Sequence, residues 1–288
     1  MKNIFFVYND KKENVYPIVS DIINYLKGKN LNIYVECLHL AQKYYLDMIN
    51  EEVLKKCDLA IILGGDGTVL KFARDYGLYQ IPILGINIGR VGALATAKLS
   101  NYKELIEKYL LGDYYITRNL TLSATIEYHD KKESQSFIVY NDIVVHRGAF
   151  LQMLPIELAI DNTKFDHIYA DGIIVATPSG SSAYNFSAGG PLLSHNSNCY
   201  VITPICSQTR DFSSLVVSEN EKVCLRIKDA TTDVFLALDG SKLCPLSNGD
   251  KILVEKTNTT LNIVNFYRQY SMYETVYKVM SSNKREDD

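Results

Sequence analysis

The chain has 288 residues, with 30 basic and 33 acidic side chains, a net charge of −3, 47% apolar residues and 22% charged ones. That length suits one large domain or two ordinary ones, and the composition excludes collagen-like, disordered and coiled-coil architectures. Its interspersed charges exclude the concentrated cationic footprint of a nucleic-acid binder. The six cysteines, Cys37, Cys57, Cys199, Cys206, Cys224 and Cys244, form no C-x-x-C pair, and the five histidines are scattered, so no zinc-ligand spacing arises. Ile4–Tyr8 is too short for a signal-peptide core or a membrane span, and no other apolar run approaches spanning length. The expectation is a cytoplasmic protein with reduced thiols and no membrane partner.

In chain order, Ile4–Tyr8 reads as a buried strand. Val15, Ile18, Val19, Ile22, Ile23 and Leu26 then recur at helical spacing, and Gly28 is expected to stop that helix in the left-handed conformation. A second strand is predicted near Asn32–Leu38. The unbroken apolar run Leu59–Leu63 suits a parallel strand covered on both faces. Val69, Leu70, Phe72, Ala73 and Tyr76 give a further helix, and Ile83–Ile86 a fourth strand. A helix from about Asn101 to Leu111 follows, with Asn101 and Glu104 in capping-box spacing and Gly112 as its stop. Such alternation predicts a Rossmann-like, doubly wound parallel sheet over residues 1–114.

Beyond Tyr114 the period changes. Leu122, Ala124, Ile126 and Tyr128 alternate with polar residues, and a polar turn, Asp130–Glu133, leads into Phe137–Val145. Further strands are predicted at Leu154–Ile160, Ile173–Ala176, Tyr200–Ile205, Val223–Ile227, Val234–Leu238, Ile252–Val254 and Leu261–Phe266. Many short strands divided by turns argue for an antiparallel β-sandwich over residues 115–266, and the charged tail Lys284–Asp288 for frayed chain. The fold class is therefore α/β plus all-β.

Three segments carry chemistry. Gly64-Gly65-Asp66-Gly67-Thr68 lies between a buried strand and a helix, where glycines let the main chain approach an anion and free N–H groups point at it. A carboxylate at Asp66, beside a bound polyphosphate, is useful if it binds Mg²⁺, orients a hydroxyl or accepts its proton. The competing reading is a tight turn in which Asp66 only caps the helix. No P-loop or G-x-G-x-x-G fingerprint is present, and His146-Arg147-Gly148 lacks the aspartate of a protein-kinase catalytic loop. The second segment, Asp171 to Pro191, runs a strand into small and hydroxylated residues around Tyr184, giving room for a flat ligand and a face to stack on. A serine-rich surface turn competes with that reading. In the third, Asn141-Asp142 interrupts an apolar strand, and a ribose is a suitable partner for the pair; a loop-facing pair at a strand end is the alternative.

Together these segments resemble the NAD kinase family from Leu59 to about Gly240. The GGDGT element is shared with diacylglycerol, sphingosine and phosphofructo-kinases. Gly85-Ile86-Asn87-Ile88-Gly89-Arg90-Val91-Gly92 resembles the family's G-x-N-x-G-x-L-G stretch, and Asp171–Pro191 resembles its D-G-x-x-x-[ST]-T-P-T-G-S-T-A-Y…S-x-G-G-P signature, which the lipid kinases lack. The resemblance implies transfer of the ATP γ-phosphoryl group to the 2′-hydroxyl of NAD's adenosine ribose in a cleft between two domains. It implies Asp66 as the base, or at least as the group that orients the 2′-hydroxyl. Gly64, Gly65, Gly67, Thr68 and Lys71 would hold ATP phosphates, with Mg²⁺ arriving on the nucleotide rather than at a dedicated protein site; Lys71 reads equally as a solvated surface lysine. Asp66, Gly67, Asn141, Asp142, Asp171, Thr177, Ser179, Ser182, Ala183, Tyr184 and Ser187 would hold NAD. It further implies a homodimer or homotetramer, and a chain end (Phe266–Met280, or about 267–288) that returns to the first domain.

The chain departs from the family's pattern at several positions. Asp142 stands for the usual Glu, Ser179 and Ser182 for threonines, Ala93 for a common aromatic, Gln208 for a frequent histidine and Ser241 for a common glutamine. These bear on fine contacts and substrate preference, not reaction class. The alternatives are a lipid kinase, which calls for a membrane-facing patch not found in the sequence, and a catalytically silent dinucleotide sensor, which calls for a replaced Asp66.

Overall fold

The computed structural model describes residues 1–266 apart from 13, 90, 91, 93, 96, 132, 150, 151 and 209–211. Ala93 and the expected return of residues 267–288 thus lie outside the described residues. The chain forms two compact units: Met1–Arg118 together with the chain from Leu261, and Asn119–Thr260.

The first unit runs β1 (Lys2–Tyr8), α1 (Val15–Lys27), β2 (Leu31–Val35), α2 (Leu38–Tyr44), β3 (Asp47–Met48), α3 (Glu51–Leu54), β4 (Leu59–Leu63), α4 (Asp66–Tyr76), β5 (Ile83–Asn87), β6 (Ala97–Lys98) and α5 (Tyr102–Leu111). Its parallel sheet has the order β3-β2-β1-β4-β5, with β6 also on β5. Strand alternation sends Ile4 and Phe6 into a core shared with α1, α2 and α5, and Phe5 to the other face, where its ring lies 5.6 Å from that of Phe72 on α4. All five residues of β4 are fully buried, at roughly 1.5–3 kcal/mol for each large apolar side chain. The expected doubly wound sheet is what forms.

The second unit is built from β7 (Tyr115–Glu127), β8 (Ser134–Val139), β9 (Asp142–Arg147), β10 (Leu154–Ile160), β11 (Thr163–Ala170), β12 (Gly172–Ala176), α6 (Tyr184–Ser187), β13 (Cys199–Ile205), β14 (Leu215–Ser218), β15 (Val223–Ile227), β16 (Val234–Leu238), β17 (Lys242–Leu246) and β18 (Lys251–Asn265), with residues 115–118 of β7 and 261–265 of β18 belonging to the first unit. One sheet orders β11-β10-β15-β18 with β7 and β8 attached, and the other orders β14-β13-β12-β9-β16-β17. Their inner faces share one core, including Leu122, Ile143, Val145, Ile156, Ile173, Val175, Leu225 and Leu236, so the predicted sandwich is present. Among the described residues no helix is long and apolar enough to cross a membrane.

Several local expectations need correction. Gly28 has φ −71°, not a left-handed value; α1 ends through a tightened turn, with Lys29 N–H donating to Leu26 C=O. Leu38 starts α2 rather than ending β2. Asn101 makes no capping bond: its side chain accepts from Lys98 N–H, while Glu104 pairs with Lys108. Gly112 does take the left-handed conformation, φ 82°. Phe137–Val145 divides at Tyr140-Asn141 into β8 and β9, which pair in different sheets. Ile252–Val254 and the predicted Leu261–Phe266 run, up to Asn265, prove to be parts of one strand: β18 pairs with β15 through Lys251–Val254 and with β5 at Ile263.

Candidate active site

In the first unit the glycine turn is tight at Gly64, while Gly65 and Gly67 have open space where a Cβ would stand. A Cβ on Gly64 would stand 2.3 Å from Thr68 Oγ1. Gly65, extended at φ −104° and ψ −170°, is the N-cap of α4, and Asp66 is the first helical residue. The Gly64 N–H is used by Ile86 C=O and that of Thr68 by Gly65 C=O. The amides of Gly65 and Gly67 donate to no described residue, so the donors left for a partner lie in the middle of the turn.

Asp66 Oδ1 accepts from the backbone N–H groups of Leu94 (3.0 Å) and Ala95 (3.2 Å). Gly92 packs so closely that a Cβ there would lie 2.1 Å from that oxygen. The carboxylate is thus held by main chain following β5. Lys71 is exposed and pairs with Asp75 at 2.9 Å, the solvated reading of that residue. A cation that sequence reasoning missed is Lys12: its Nζ stands 3.2 Å from where a Gly89 Cβ would be. Its loop is tied to the sheet end beside the glycine turn by Asn9 N–H donating to Leu63 C=O.

In the second unit a cleft of about 570 Å³ opens on the outer face of the β12-β9-β16 sheet. It brings together five predicted residues, Asn141, Asp142, Asp171, Ala183 and Tyr184, and adds Val144, His146, Arg147, Ile205, Ala237, Asp239 and Gly240. Tyr184 exposes about half its surface (47%) there.

The remaining predicted residues do not line this cleft. Thr177 is fully buried, donating to Tyr140 C=O (2.8 Å) and accepting from Gly180 N–H (3.0 Å). Ser179 is buried with its Oγ 3.5 Å from His195 Nδ1, Ser182 donates to Ser179 C=O at 3.2 Å, and Ser187 is exposed. Two unflagged neighbours complete this framework. Ser181 Oγ donates to Pro178 C=O and accepts from Leu193 N–H, while Asn185 bonds Ser181 C=O, Pro191 C=O and Thr203. The hydroxyl-rich segment therefore builds the turn that presents Ala183 and Tyr184. Gln208 is fixed through its N–H to Tyr169 C=O, and Ser241 through its N–H to Leu238 C=O.

The acidic end of the cleft is organised by Asp239, which periodicity did not flag. Its backbone is left-handed at φ 48°, a conformation Asp tolerates, and its carboxylate accepts from the N–H groups of Tyr140 and Asn141. This fixes the β8-to-β9 bend, where Asn141 Oδ1 is buried with no partner among the described residues. Asp142, 5% exposed, is pushed up to about 7 by burial first and by the Asp239 charge second. At the other end Asp171 Oδ1 accepts from Arg147 Nε at 2.7 Å.

The raised Asp142 has a measurable consequence. The folded chain holds a proton on this carboxyl up to about pH 7, whereas the ordinary value is 3.8. Its contribution to stability is therefore complete below about pH 4 and is lost as pH rises towards 7. Asp142→Asn should abolish that loss. Urea unfolding of both proteins at pH 5 and pH 8 should show the variant gaining about 2–3 kcal/mol on wild type across the interval. Parallel pH profiles would place the proton elsewhere.

A glycine-held carboxylate at a helix start and a cleft of buried acceptors beside an aromatic face define a nucleotide-handling phosphotransferase. Comparison with known proteins makes that particular. Residues 4–114 match the family model described as the ATP-NAD kinase N-terminal domain, and residues 140–266 the ATP-NAD kinase C-terminal domain. The chain is 32% identical over 286 residues to the NAD kinase of Natranaerobius thermophilus, covering 99% of both chains. It is 36% identical over 267 residues to the NAD kinase of Clostridium perfringens, covering 92% of this chain and 94% of the relative. A crystal structure of yeast NADH kinase complexed with NADH shares the fold at TM-score 0.89 and 22% identity, over 99% of this chain and 89% of that one. An Archaeoglobus fulgidus NAD kinase in complex with ATP aligns at TM-score 0.73 and 26% identity, over 97% and 99%. The chain belongs to the NAD kinase family and is a kinase.

Proposed function

We propose that this chain transfers the γ-phosphoryl group of ATP to the 2′-hydroxyl of the adenosine ribose of NAD, giving NADP and ADP. The observation that carries the reading is the Asp66 carboxylate, pinned by Leu94 and Ala95 amides beside a turn whose Gly65 and Gly67 amides donate to no described residue. A ribose hydroxyl is a weak nucleophile, and phosphoryl transfer depends on alignment and charge neutralisation. Asp66 orients the 2′-hydroxyl and takes its proton as the oxygen–phosphorus bond forms; the bond from Pγ to the bridging oxygen breaks, and ADP leaves with that electron pair. The amides of the turn and Lys12 hold the donor phosphates. Among the described residues there is no cluster of three or more His, Cys, Asp or Glu suited to a metal. Mg²⁺ belongs to this reading as the companion of ATP, neutralising phosphate charge.

In the second unit Asn141 and Asp142 hold the adenosine part, Ala183 and Tyr184 cover the dinucleotide, and Asp171 fixes its other end. Thr177, Ser179 and Ser182 act by shaping the turn that presents Tyr184. A cytoplasmic assembly of two or four copies goes with the same reading, supported by the family resemblance.

The test is incubation with Mg²⁺, ATP and NAD, with NADP read by an NADP-specific dehydrogenase and with NADH and diacylglycerol as competing acceptors. NADP should accumulate; phosphorylation of diacylglycerol instead would favour the lipid-kinase alternative. Tyr184→Ala should raise KM for NAD roughly tenfold, the size of one lost stacking contact, with KM for ATP nearly unchanged. Equal changes in both constants would remove Tyr184 from the NAD site.

A further inference from the structure

Strand alternation places Asp142, Val144 and His146 of β9 on the cleft face and Ile143 and Val145 in the core. His146 has unlike neighbours on its two flanks. Its partner on β16 is Phe235, whose ring centroid lies 5.8 Å away. Its partner on β12 is Gly172, which has no side chain, and a Cβ there would stand 2.3 Å from Val145 O and 3.0 Å from His146 Cα. The glycine is required by the close approach of the strands, and it leaves the cleft face open beside the imidazole.

The hydrogen bond on the near side of the ring fixes its tautomer. His146 Nδ1 lies 2.9 Å from the main-chain oxygen of Arg147. A carbonyl oxygen only accepts, so Nδ1 carries the proton, and Nε2 of the neutral ring is a bare acceptor. Nε2 has no partner among the described residues.

We propose that His146 Nε2 accepts a hydrogen bond from an N–H donor of the bound dinucleotide, making His146 a specificity residue that favours an amino or carboxamide group over an oxygen at the same place. This rests on the dinucleotide reading given above. NAD carries two such groups, the adenine amine and the nicotinamide carboxamide. Replacing either with oxygen would set one acceptor against another, losing the bond and leaving both lone pairs unsatisfied.

Two substitutions separate this from a packing role. His146→Asn places its amide where Nδ1 was and keeps the bond to Arg147 O, but removes the acceptor at Nε2. His146→Gln reaches the Nε2 position with a carbonyl oxygen. Both would be assayed with NAD, its hypoxanthine analogue and its nicotinic-acid analogue. Wild type should prefer NAD over the analogue altered at the recognised group by about tenfold in kcat/KM. Asn should erase that preference for one analogue only, which identifies the donor, and Gln should restore it. An Asn variant that keeps both preferences in full overturns the proposal. In ¹⁵N-labelled wild type the proton of the neutral ring should sit on Nδ1, and the Nε2 resonance should move when NAD is added. If calorimetry shows NAD binding while Nε2 is unmoved, the assignment of His146 fails and the dinucleotide reading stands. If NAD does not bind at all, both fail.

Discussion

Asp66→Asn should abolish NADP formation, lowering kcat by about 10³-fold or more, while NAD binding stays measurable by calorimetry. Asparagine is the informative replacement because of how the carboxylate is held. Oδ1 accepts from Leu94 and Ala95, and an asparagine oxygen can keep both bonds. What disappears is the basic oxygen that takes the ribose proton. Asp66→Ala would confuse this by also leaving two backbone N–H groups without an acceptor, at about 1–3 kcal/mol where they are buried. Near-normal turnover in the Asn variant would remove Asp66 from proton transfer.

The second large effect comes from a residue with no chemistry. Gly92→Ala puts a methyl group 2.1 Å from Asp66 Oδ1, well inside any permitted contact, so either the carboxylate or the main chain must move. Displacement of about 1 Å at a reacting group costs on the order of 100-fold, so a kcat loss of that size is expected, with a stability loss of about 1–3 kcal/mol from overpacking. The cause can be isolated. In an Asp66→Ala background the obstructing oxygen is gone, and the added methyl at 92 should cost almost no stability. A stability loss equal in both backgrounds would show that Gly92 is needed for its own backbone and not for the carboxylate.

The legibility of this molecule in its sequence follows burial. Leu59–Leu63, Val223–Ile227 and Val234–Leu238 are strands with the predicted bounds, since each is apolar enough to declare itself. The strands that escaped notice lie at edges or carry irregularities. Lys242–Leu246 contains Pro245 and forms one edge of its sheet, where proline is tolerated; Leu215–Ser218 is four residues at the opposite edge. Thr163–Ala170 pairs with β10 through a register shift between Ile156 and Leu158, which spoils a period of two. The site divides in the same way. Its contiguous motifs could be read directly, but the cleft depends on antiparallel neighbours distant in sequence, such as His146 with Gly172 and Phe235. One signal was available: Asp142, Val144 and His146 alternate with Ile143 and Val145, which puts a carboxylate and an imidazole on one face.

The long strand β18 has a consequence for how the protein is made. The second unit is one continuous stretch, Asn119–Thr260, so its whole sequence has left the ribosome before the first unit, which resumes at Leu261, has all of its own. Ile263 is the residue that pairs with Ile83 on β5, so that end of the earlier-made strand waits for residues synthesised after the whole of the second unit. The unit begun earlier is thus completed later, and the Ile83 end of the β5 edge, beyond the two residues that β6 covers, stays open to wrong pairings during synthesis. Removal of the coding sequence from Leu261 onward should therefore damage the parallel sheet, more than a hundred codons upstream, before it damages the β-sandwich.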